Sequence, residues 1–193
     1  ADTLGIGDIL PALPPIVGST AIAGQVTAEA AALCGLREGT PVVGGLFDVV
    51  STALCAGLHD DTRLNAVMGT WSVTSGITDR ISDETGHPFV YGRYAIDGQY
   101  IIHEASPTSA ANLEWFCQQW GMDDYAQLNQ WVAALPPAQS SLLFLPFLYG
   151  CNAGGDLHGS FFGLQAGHQR GHLVQAIYEG VVFSHLTHLN RIL

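Results

Sequence analysis

The sequence has no lysine among its 193 residues. Its six cationic side chains are all arginines, and they are outnumbered by 17 aspartates and glutamates, which gives a formal net charge of −11. Without lysine the chain cannot build a Walker-type phosphate loop, a Schiff base or a Ser-Lys dyad. Because it also lacks a basic cluster that could displace counterions from a phosphate backbone, we do not expect nucleic acid as a partner.

Long hydrophobic runs are absent as well. No apolar stretch reaches the roughly 18 residues that a membrane-spanning helix requires, and residues 1–3 lack the basic start of a secretion signal. Hydrophobic residues nevertheless make up 48% of the chain and charged residues only 12%, which is typical of a protein with a packed core. We therefore expect a soluble, cytoplasmic protein with no membrane partner.

Cysteine is scarce and scattered. Cys34, Cys55, Cys117 and Cys151 are far apart, and none belongs to a C-x-x-C pair at zinc-binding spacing. Two disulfides in a secreted protein are an alternative, but small secreted scaffolds contain much more cysteine. We expect the thiols to be reduced and mostly buried.

The first third of the chain carries helical and small-residue patterns. Residues 11–15, which are rich in proline, predict an extended segment. Capping residues and glycines bound two short helices over 28–33 and 49–56. Between these helices, residues 41–45 predict a short buried strand, because they are apolar and lie between proline and glycine. Asp48 then falls at the junction of strand and helix, where open α/β folds place ligand-binding groups.

A polar break at residues 59–62 marks the expected boundary between two domains, 1–59 and 60–193. Beyond it the hydrophobic pattern changes from helical to alternating, and turn-forming dipeptides separate the strand-like segments. These segments predict an antiparallel meander with strands over 63–68, 71–78, 89–96 and 99–104. The later elements are helices over 109–120 and 125–134, a strand over 141–148 and a final helix over 172–193. Because that helix has no terminating glycine or proline, we expect the sequence to be part of a longer protein.

Asp48 is the first candidate for chemistry. Its carboxylate would lie at the positive end of a helix dipole, which favours the ionised form. An ionised carboxylate in that position can accept a proton from a hydroxyl group or bind a divalent metal. The alternative is that Asp48 only caps the helix, which is a common use of aspartate.

Gly69 and Thr70, at the turn between two predicted strands, are the second candidate site. Because glycine has no Cβ, the backbone can approach a ligand closely there, and the N–H groups of such a turn can hold an anion without lysine. The alternative is an ordinary hairpin turn. A run of small residues at 105–112, between Glu104 and Glu114, leads into a helix whose start could likewise receive a ligand, with Thr108 or Ser109 as its cap.

Histidine and serine give weaker signals. His185 and His188 lie three residues apart on the final helix and could begin a metal site, but no carboxylate or cysteine lies at ligand spacing. We interpret them as surface histidines. No serine lies in a G-x-S-x-G elbow, so the sequence does not favour a serine hydrolase.

Several of these segments together resemble the FGGY family of carbohydrate kinases. The stretches that carry the resemblance are 24–31, 39–48, 68–70, 159–164, 172–173 and 176–179. The most specific stretch is the C-terminal signature, in which Gly-Ser-Phe-Phe-Gly-Leu at 159–164 is followed after seven residues by His-Leu and then by Ala-Ile-Tyr-Glu. The polar break near residue 60 falls where the resemblance places the family's domain boundary.

The resemblance implies an actin-like, ribonuclease H-like α/β fold. Residues 1–59 would end the family's N-terminal domain, and residues 60–193 would begin its C-terminal domain. The implied activity is the phosphorylation of a ketose hydroxyl by ATP with Mg²⁺, in which positioning and charge neutralisation carry the catalysis. Asp48 corresponds to the family's catalytic base, which lies close to the magnesium, so the resemblance makes it a metal ligand as well.

The resemblance also assigns a nucleotide site. Gly69 and Thr70 correspond to a phosphate-contacting hairpin, and the segment from Ala110 to Glu114 corresponds to a helix start on the nucleotide side. A small-molecule sugar is the implied partner, and a homodimer is compatible with the family. The family's acidic phosphate loop, most sugar contacts and its adenosine loop have no counterpart here, so we expect the isolated segment to be inactive. The alternative function is a non-catalytic sugar- or nucleotide-binding module with the same fold.

Overall fold

The computed structural model describes residues 5–82, 90–137, 139–151 and 155–193, apart from the side chain of Leu10. The chain divides into two compact units, Ala1–Thr52 and Ala53–Leu193. The elements of the first unit are a 3₁₀ helix (Gly7–Ala12), β1 (Ile22–Gln25), α1 (Ala28–Cys34), β2 (Pro41–Val43) and the start of α2 (Asp48–Cys55), which crosses the division. The predicted domain boundary near residue 60 stays a prediction.

Helix α1 forms where the sequence predicts it. The Oγ1 atom of Thr27 accepts the N–H of Ala30 at 3.2 Å and so satisfies one of the unpaired donors at the helix start. Gly35 ends the helix with a φ of 72°, a left-handed conformation that glycine adopts without a steric penalty. Helix α2 also agrees with the prediction, and Gly57 follows it with a φ of 88°.

The strands of the first unit correct the expectation of a buried strand. β2 pairs antiparallel with β1 in a two-stranded ribbon, and every residue of both strands is exposed. Among the described residues of this unit only Val50 is buried. The reason is that a unit of about 50 residues has a large surface relative to its volume and therefore buries few of its side chains. In addition, the 3₁₀ helix includes Pro11, whose fixed φ suits a helical turn as well as the extended segment that we predicted.

The cysteines are less buried than expected. Cys34 and Cys55 are exposed because each is the last residue of a short helix, α1 or α2. Cys117 is buried, and this burial, together with the negative charge of Asp123, raises the pKa of its thiol. The prediction of mostly buried thiols is therefore wrong for Cys34 and Cys55.

The second unit combines sheets and helices. Its described strands are β3 (Asn65–Met68), β4 (Ser72–Thr78), β5 (Val90–Arg93), β6 (Tyr100–Ser106), β7 (Leu143–Leu145) and β8 (Ser160–Phe162). Its further helices are α3 (Ala110–Trp120), α4 (Tyr125–Ala133) and α5 (Arg170–Ile192). Helices α3 and α4 agree with the prediction to within one residue. Asp124 caps α4, since its Oδ1 atom accepts the N–H groups of Ala126 at 2.9 Å and Gln127 at 3.2 Å.

The main sheet is antiparallel but is not the predicted meander. Its strand order is β3-β4-β6-β5, so β6 pairs with β4 and β5 lies at the edge. β6 has seven residues and is mostly buried, whereas β5 has four residues and none of them is buried. Burying the longer and more apolar strand at the centre removes more surface from water, which accounts for the order. Phe89, the first residue of the predicted third strand, lies outside the described residues.

The hydrophobic core of the second unit lies where α3, α4 and α5 pack with the β7–β8 hairpin. The buried members of this core are Phe116, Cys117, Met122, Leu128, Leu142, Phe144, Val174, Ala176 and Ile177. The rings of Phe144 and Phe161 lie 4.7 Å apart in a tilted arrangement that aromatic pairs favour. None of the helices in the described part of the chain has both the length and the apolar character needed to cross a membrane.

Candidate functional site

A three-residue loop, 69–71, joins β3 to β4. Met68 pairs with Ser72 across the ladder, and the N–H of Gly69 donates to the carbonyl oxygen of Trp71 at 3.2 Å. Thr70 and Trp71 are exposed, so the loop presents a hydroxyl group and an indole ring at the surface of the second unit.

The fold itself does not require glycine at position 69. The φ of Gly69 lies outside the left-handed region, and a Cβ at this position would come no closer than 3.9 Å to Trp71 O and Val67 Cγ1. By contrast, a Cβ at Gly163 would lie 2.6 Å from the carbonyl oxygen of Ser141. A Cβ at Gly69 would make ordinary van der Waals contacts, and its absence lets a ligand come closer to the backbone.

The start of α3 lies against this loop. The N–H of Ala110 donates to the carbonyl oxygen of Gly69 at 3.1 Å, so the structure brings together two segments that the sequence indicated separately. Ser109 occupies the N-cap position, but its hydroxyl makes no capping hydrogen bond, because its φ of −115° and ψ of −139° differ from an extended cap. Glu114 is exposed one turn after Ala110 and lies on the same face of α3.

Asp48 lies in the first unit, at the start of α2. The carbonyl oxygen of Phe47 accepts the N–H of Ser51 at 2.9 Å, so Phe47 is the N-cap and Asp48 is the first helical residue. The Oδ1 atom of Asp48 accepts the N–H of Val49 at 2.8 Å, and the side chain is exposed. An N-cap side chain binds the amide two or three residues further on. Asp48 is therefore not the N-cap of α2, and its carboxylate is accessible to a ligand.

A buried polar cluster, which the sequence did not indicate, connects the end of β6 to α5. Ser106 Oγ lies 2.6 Å from Thr108 Oγ1 and 2.9 Å from His188 Nε2. The hydroxyl of Thr108 is also hydrogen bonded to that of Ser184. Ser106, Thr108 and His188 are at most 1% exposed. We call Ser106, Thr108, Ser184 and His188 the hydroxyl–histidine cluster.

The interpretation of His185 and His188 as surface histidines is wrong. They are 7% and 0% exposed, because this side of α5 packs against β4 and β6. Burial lowers the pKa of both imidazoles, and the neighbouring His185 and Arg191 help to lower the pKa of His188 to about 4. The available signal was spacing, since His188 lies four residues before Ile192, whose side chain faces the sheet at Gly76.

An ion pair lies next to the cluster on the same face of the sheet. Arg191 on α5 binds Glu104 on β6, and both side chains are largely shielded from solvent. Glu104 is opposite Thr74 in the β4–β6 ladder, and Ser106 is opposite Ser72. Within the described ranges, no three histidine, cysteine or carboxylate side chains are grouped so that they could hold a metal ion.

Comparison with protein families matches nearly the whole chain. Residues 1–55 match the N-terminal domain of the FGGY family of carbohydrate kinases, and residues 64–192 match its C-terminal domain. The chain is 65% identical over 190 residues to the L-xylulose/3-keto-L-gulonate kinase of Escherichia coli, which covers 98% of this chain and 38% of that protein. It is 61% identical over 191 residues to a probable L-xylulose kinase of Pasteurella multocida, covering 99% of this chain and 39% of the relative.

Solved structures show the same similarity. The xylulose kinase of Rhodospirillum rubrum is similar over 100% of this chain and 40% of its own, with a TM-score of 0.84 and 28% sequence identity. The ADP-bound glycerol kinase of Plasmodium falciparum is similar over 99% of this chain and 39% of its own, with a TM-score of 0.81 and 18% identity, which shows a shared fold. The chain thus spans about two fifths of the length of the proteins that it resembles.

Proposed function

Because the chain belongs to the FGGY family of carbohydrate kinases, we propose that it is part of an enzyme that transfers a phosphoryl group from ATP to a ketose hydroxyl, with L-xylulose as the substrate. The chain has part of the family's actin-like α/β fold. The observation that carries the proposal is the 65% identity to the Escherichia coli L-xylulose/3-keto-L-gulonate kinase. The xylulose kinase of Bacillus subtilis is 30% identical and the gluconokinase of Bacillus licheniformis is 29% identical.

In this proposal Asp48 is the general base. An exposed carboxylate in the first turn of a helix can accept the proton of a sugar hydroxyl. The hydroxyl oxygen attacks the γ-phosphorus, and the bond from that phosphorus to the bridging oxygen of ADP breaks. The products are ADP and the sugar phosphate, and the hydroxyl proton remains on Asp48 until water removes it.

The nucleotide phosphates are proposed to bind at the 69–71 loop. The missing Cβ of Gly69 and the exposed hydroxyl of Thr70 support this proposal, because backbone and hydroxyl donors can hold an anion in a chain without lysine. Ala110 and Glu114 are proposed to contact the nucleotide from the neighbouring helix start. Since the amide of Ala110 already binds Gly69, its contact would be made by its exposed methyl group.

The donor type at Asp48 fits Mg²⁺. This ion prefers oxygen ligands and is usually held by one or two carboxylates together with substrate phosphates. Asp48 offers one exposed carboxylate, and the phosphates of ATP with water would complete the coordination. When bound, Mg²⁺ neutralises negative charge on the phosphates.

Further parts of the proposal concern the whole enzyme. We propose a cytoplasmic location, where ATP is available to a sugar kinase, and a homodimer as the assembly. The isolated chain is proposed to be inactive, because it spans 38% of the Escherichia coli relative.

The proposed function is tested with a chimera in which this chain replaces the 190 aligned residues of the Escherichia coli kinase. We expect the chimera to phosphorylate L-xylulose in a coupled assay for ADP. Asp48→Asn in the chimera should lower kcat by at least about a hundredfold, since asparagine cannot accept the proton. Circular dichroism should show that the variant remains folded.

Asp124→Asn is the matched control. It makes the same chemical change at the start of α4, where asparagine can also cap, so kcat should not change. A folded Asp48→Asn chimera with near-normal turnover would refute the assignment of the base. A folded, unsubstituted chimera without kinase activity would contradict the proposed function itself.

A further inference from the structure

The hydroxyl–histidine cluster holds the connection between β6 and α3. Ser106 is the last residue of β6, and Thr108 lies between this strand and the first residue of α3. Their hydroxyls are hydrogen bonded to each other at 2.6 Å and are buried. The connection is therefore fixed from inside the unit, although Ala110, which follows it, is exposed.

Helix α5 provides the fixed side of this attachment. Ser184 and His188 are four residues apart, so they lie one above the other on the same helix face. Ser184 binds Thr108 and His188 binds Ser106, which attaches the connection at two points to one 23-residue helix. Each hydroxyl group has one proton to donate. The hydroxyls of Ser184, Thr108 and Ser106 form a series, and the hydroxyl at its end needs a further hydrogen-bond partner, which His188 provides. A neutral imidazole nitrogen can accept or donate, according to its tautomer.

The same connection determines where the 69–71 loop lies. Ser106 pairs with Ser72, the residue directly after the loop, and the N–H of Ala110 donates to Gly69 at 3.1 Å. A displacement of Ser106 or of the connection would therefore move the backbone at Gly69. His188 is hydrogen bonded to Ser106 at 2.9 Å, so Ser106 provides a route by which His188 can act on the loop.

We propose that His188 is a positioning residue that, through Ser106, holds the connection from β6 to α3 and thereby the 69–71 loop in the conformation that binds the phosphates of ATP. The part of this inference that concerns ATP rests on the proposed function. The part that concerns the loop can be measured in this chain alone.

The kinetic test compares three variants of the chimera. His188→Ala should raise KM for ATP about tenfold, because losing a buried hydrogen bond disturbs the geometry of the nucleotide site. The values of kcat and of KM for L-xylulose should stay within about threefold of those of the unsubstituted chimera. His188→Gln, whose side-chain amide can reach Ser106, should restore most of the affinity. His185→Ala is the matched control, since it removes a buried imidazole from the same helix. The imidazole of His185 has no hydrogen-bond partner among the described residues. It should not change KM for ATP.

The second test needs no activity. Amide hydrogen exchange at Ala110 in the 193-residue chain reports the bond to Gly69. His188→Ala should accelerate this exchange about tenfold relative to His185→Ala, because the connection then opens locally. Thr108→Val keeps the side-chain shape but removes the hydroxyl, and it should accelerate the exchange by a similar factor. This variant replaces His188→Ala in the test if His188→Ala does not fold.

The outcomes separate the two proposals. An unchanged KM for ATP, or a KM raised equally by His185→Ala, overturns the positioning role. Equal exchange at Ala110 in the His188 and His185 variants overturns it as well. If the unsubstituted chimera is inactive, the proposed function fails, and the exchange measurement still decides whether His188 holds the loop.

Discussion

At the scale of single residues, burial decides the chemistry of the histidines. His103, His185 and His188 are all buried in the second unit, and loss of hydration lowers the pKa of each. His103 is paired with Ser75, whose hydroxyl lies 2.8 Å from its Nδ1 atom, and His188 is paired with Ser106. Burial therefore favours the neutral form of all three imidazoles, and those of His103 and His188 act as hydrogen-bonding groups inside the fold.

The lowered pKa values predict how stability depends on pH. An imidazole of the unfolded chain titrates near 6.5, whereas that of His188 in the native state titrates at about 4. Between these values the unfolded chain binds protons that the native chain does not, so the free energy of unfolding falls as pH falls. His185 and Arg191 on α5 act on His188 electrostatically, and Arg191 is itself paired with Glu104 on β6. Urea unfolding across this pH range measures the effect.

A matched comparison isolates His188. His188→Gln has no titrating side chain and keeps a hydrogen-bonding amide, so it should lose less stability than the unsubstituted chain between pH 6.5 and about 4. His103 and His185 remain in both proteins, so the difference between the two profiles reports the imidazole of His188 together with its interaction with His185. Identical pH profiles for the two proteins would contradict the buried, neutral state of His188.

At the scale of elements, close backbone contact sets the position of α5. Gly180 lies in the middle of this helix, and a Cβ there would collide with the carbonyl oxygen of Phe144 on β7. Gly171 allows a similar approach to Trp131 on α4, where a Cβ would lie 3.3 Å from the tryptophan Cβ. The helix that carries His188 is thus fixed by contacts at its middle and at its start.

Gly180→Ala should destabilise the second unit. Alanine improves helix propensity by about 1 kcal/mol, but pushing α5 away from β7 should cost about 1–3 kcal/mol and disturb the packing of Phe144. A Cβ at position 180 would meet both the carbonyl oxygen of Phe144 and its buried side chain. We therefore expect the loss of packing energy to exceed the gain in helix propensity. Urea denaturation measures the difference in the free energy of unfolding.

Gly167→Ala is the control for this substitution. Gly167 precedes α5, its φ is not left-handed, and a Cβ there would meet nothing within 4 Å. The free energy of unfolding of the Gly167→Ala chain should differ little from that of the unsubstituted chain. A Gly180→Ala chain as stable as the unsubstituted one would mean that α5 and β7 can separate without loss.

At the scale of the whole molecule, the two units differ in how much they bury. In the first unit many large apolar side chains are exposed, among them Ile16, Ile22, Leu33, Val43 and Phe47. The second unit has a continuous core between its helices and the β7–β8 hairpin. Amide protection is therefore expected to concentrate in the second unit.

The whole chain should not bind Mg-ATP by itself. It spans 38% of the Escherichia coli relative, and the resemblance assigns the acidic phosphate loop and the adenosine loop to segments outside it. A ligand that binds only the native state raises the melting temperature, and the shift grows with the logarithm of the ligand concentration relative to Kd. We therefore expect no thermal shift with millimolar Mg-ATP, while the chimera should show one. A concentration-dependent shift of the isolated chain would mean that its nucleotide site is more complete than proposed.

Local sequence patterns were enough to predict most helices and the family. Thr27, Gly35 and Gly57 fixed helix ends because capping and left-handed glycine depend on neighbouring residues only. The FGGY resemblance of the motifs was confirmed by the family comparison, since short motifs retain the residues that their chemistry needs. Asp48, Gly69, Thr70, Ala110 and Glu114 stay predictions as site residues.

Contacts between residues that are distant in the sequence became known only from the folded structure. The central position of β6 depends on burial summed over whole strands, which periodicity within one segment does not contain. The contact between Ala110 and Gly69 joins residues 41 positions apart, and the pairing of Ser106 with His188 joins residues 82 positions apart. Local pattern made His188 look like a surface residue. The sheet that covers it, formed by residues far away in the sequence, made it a buried partner of Ser106.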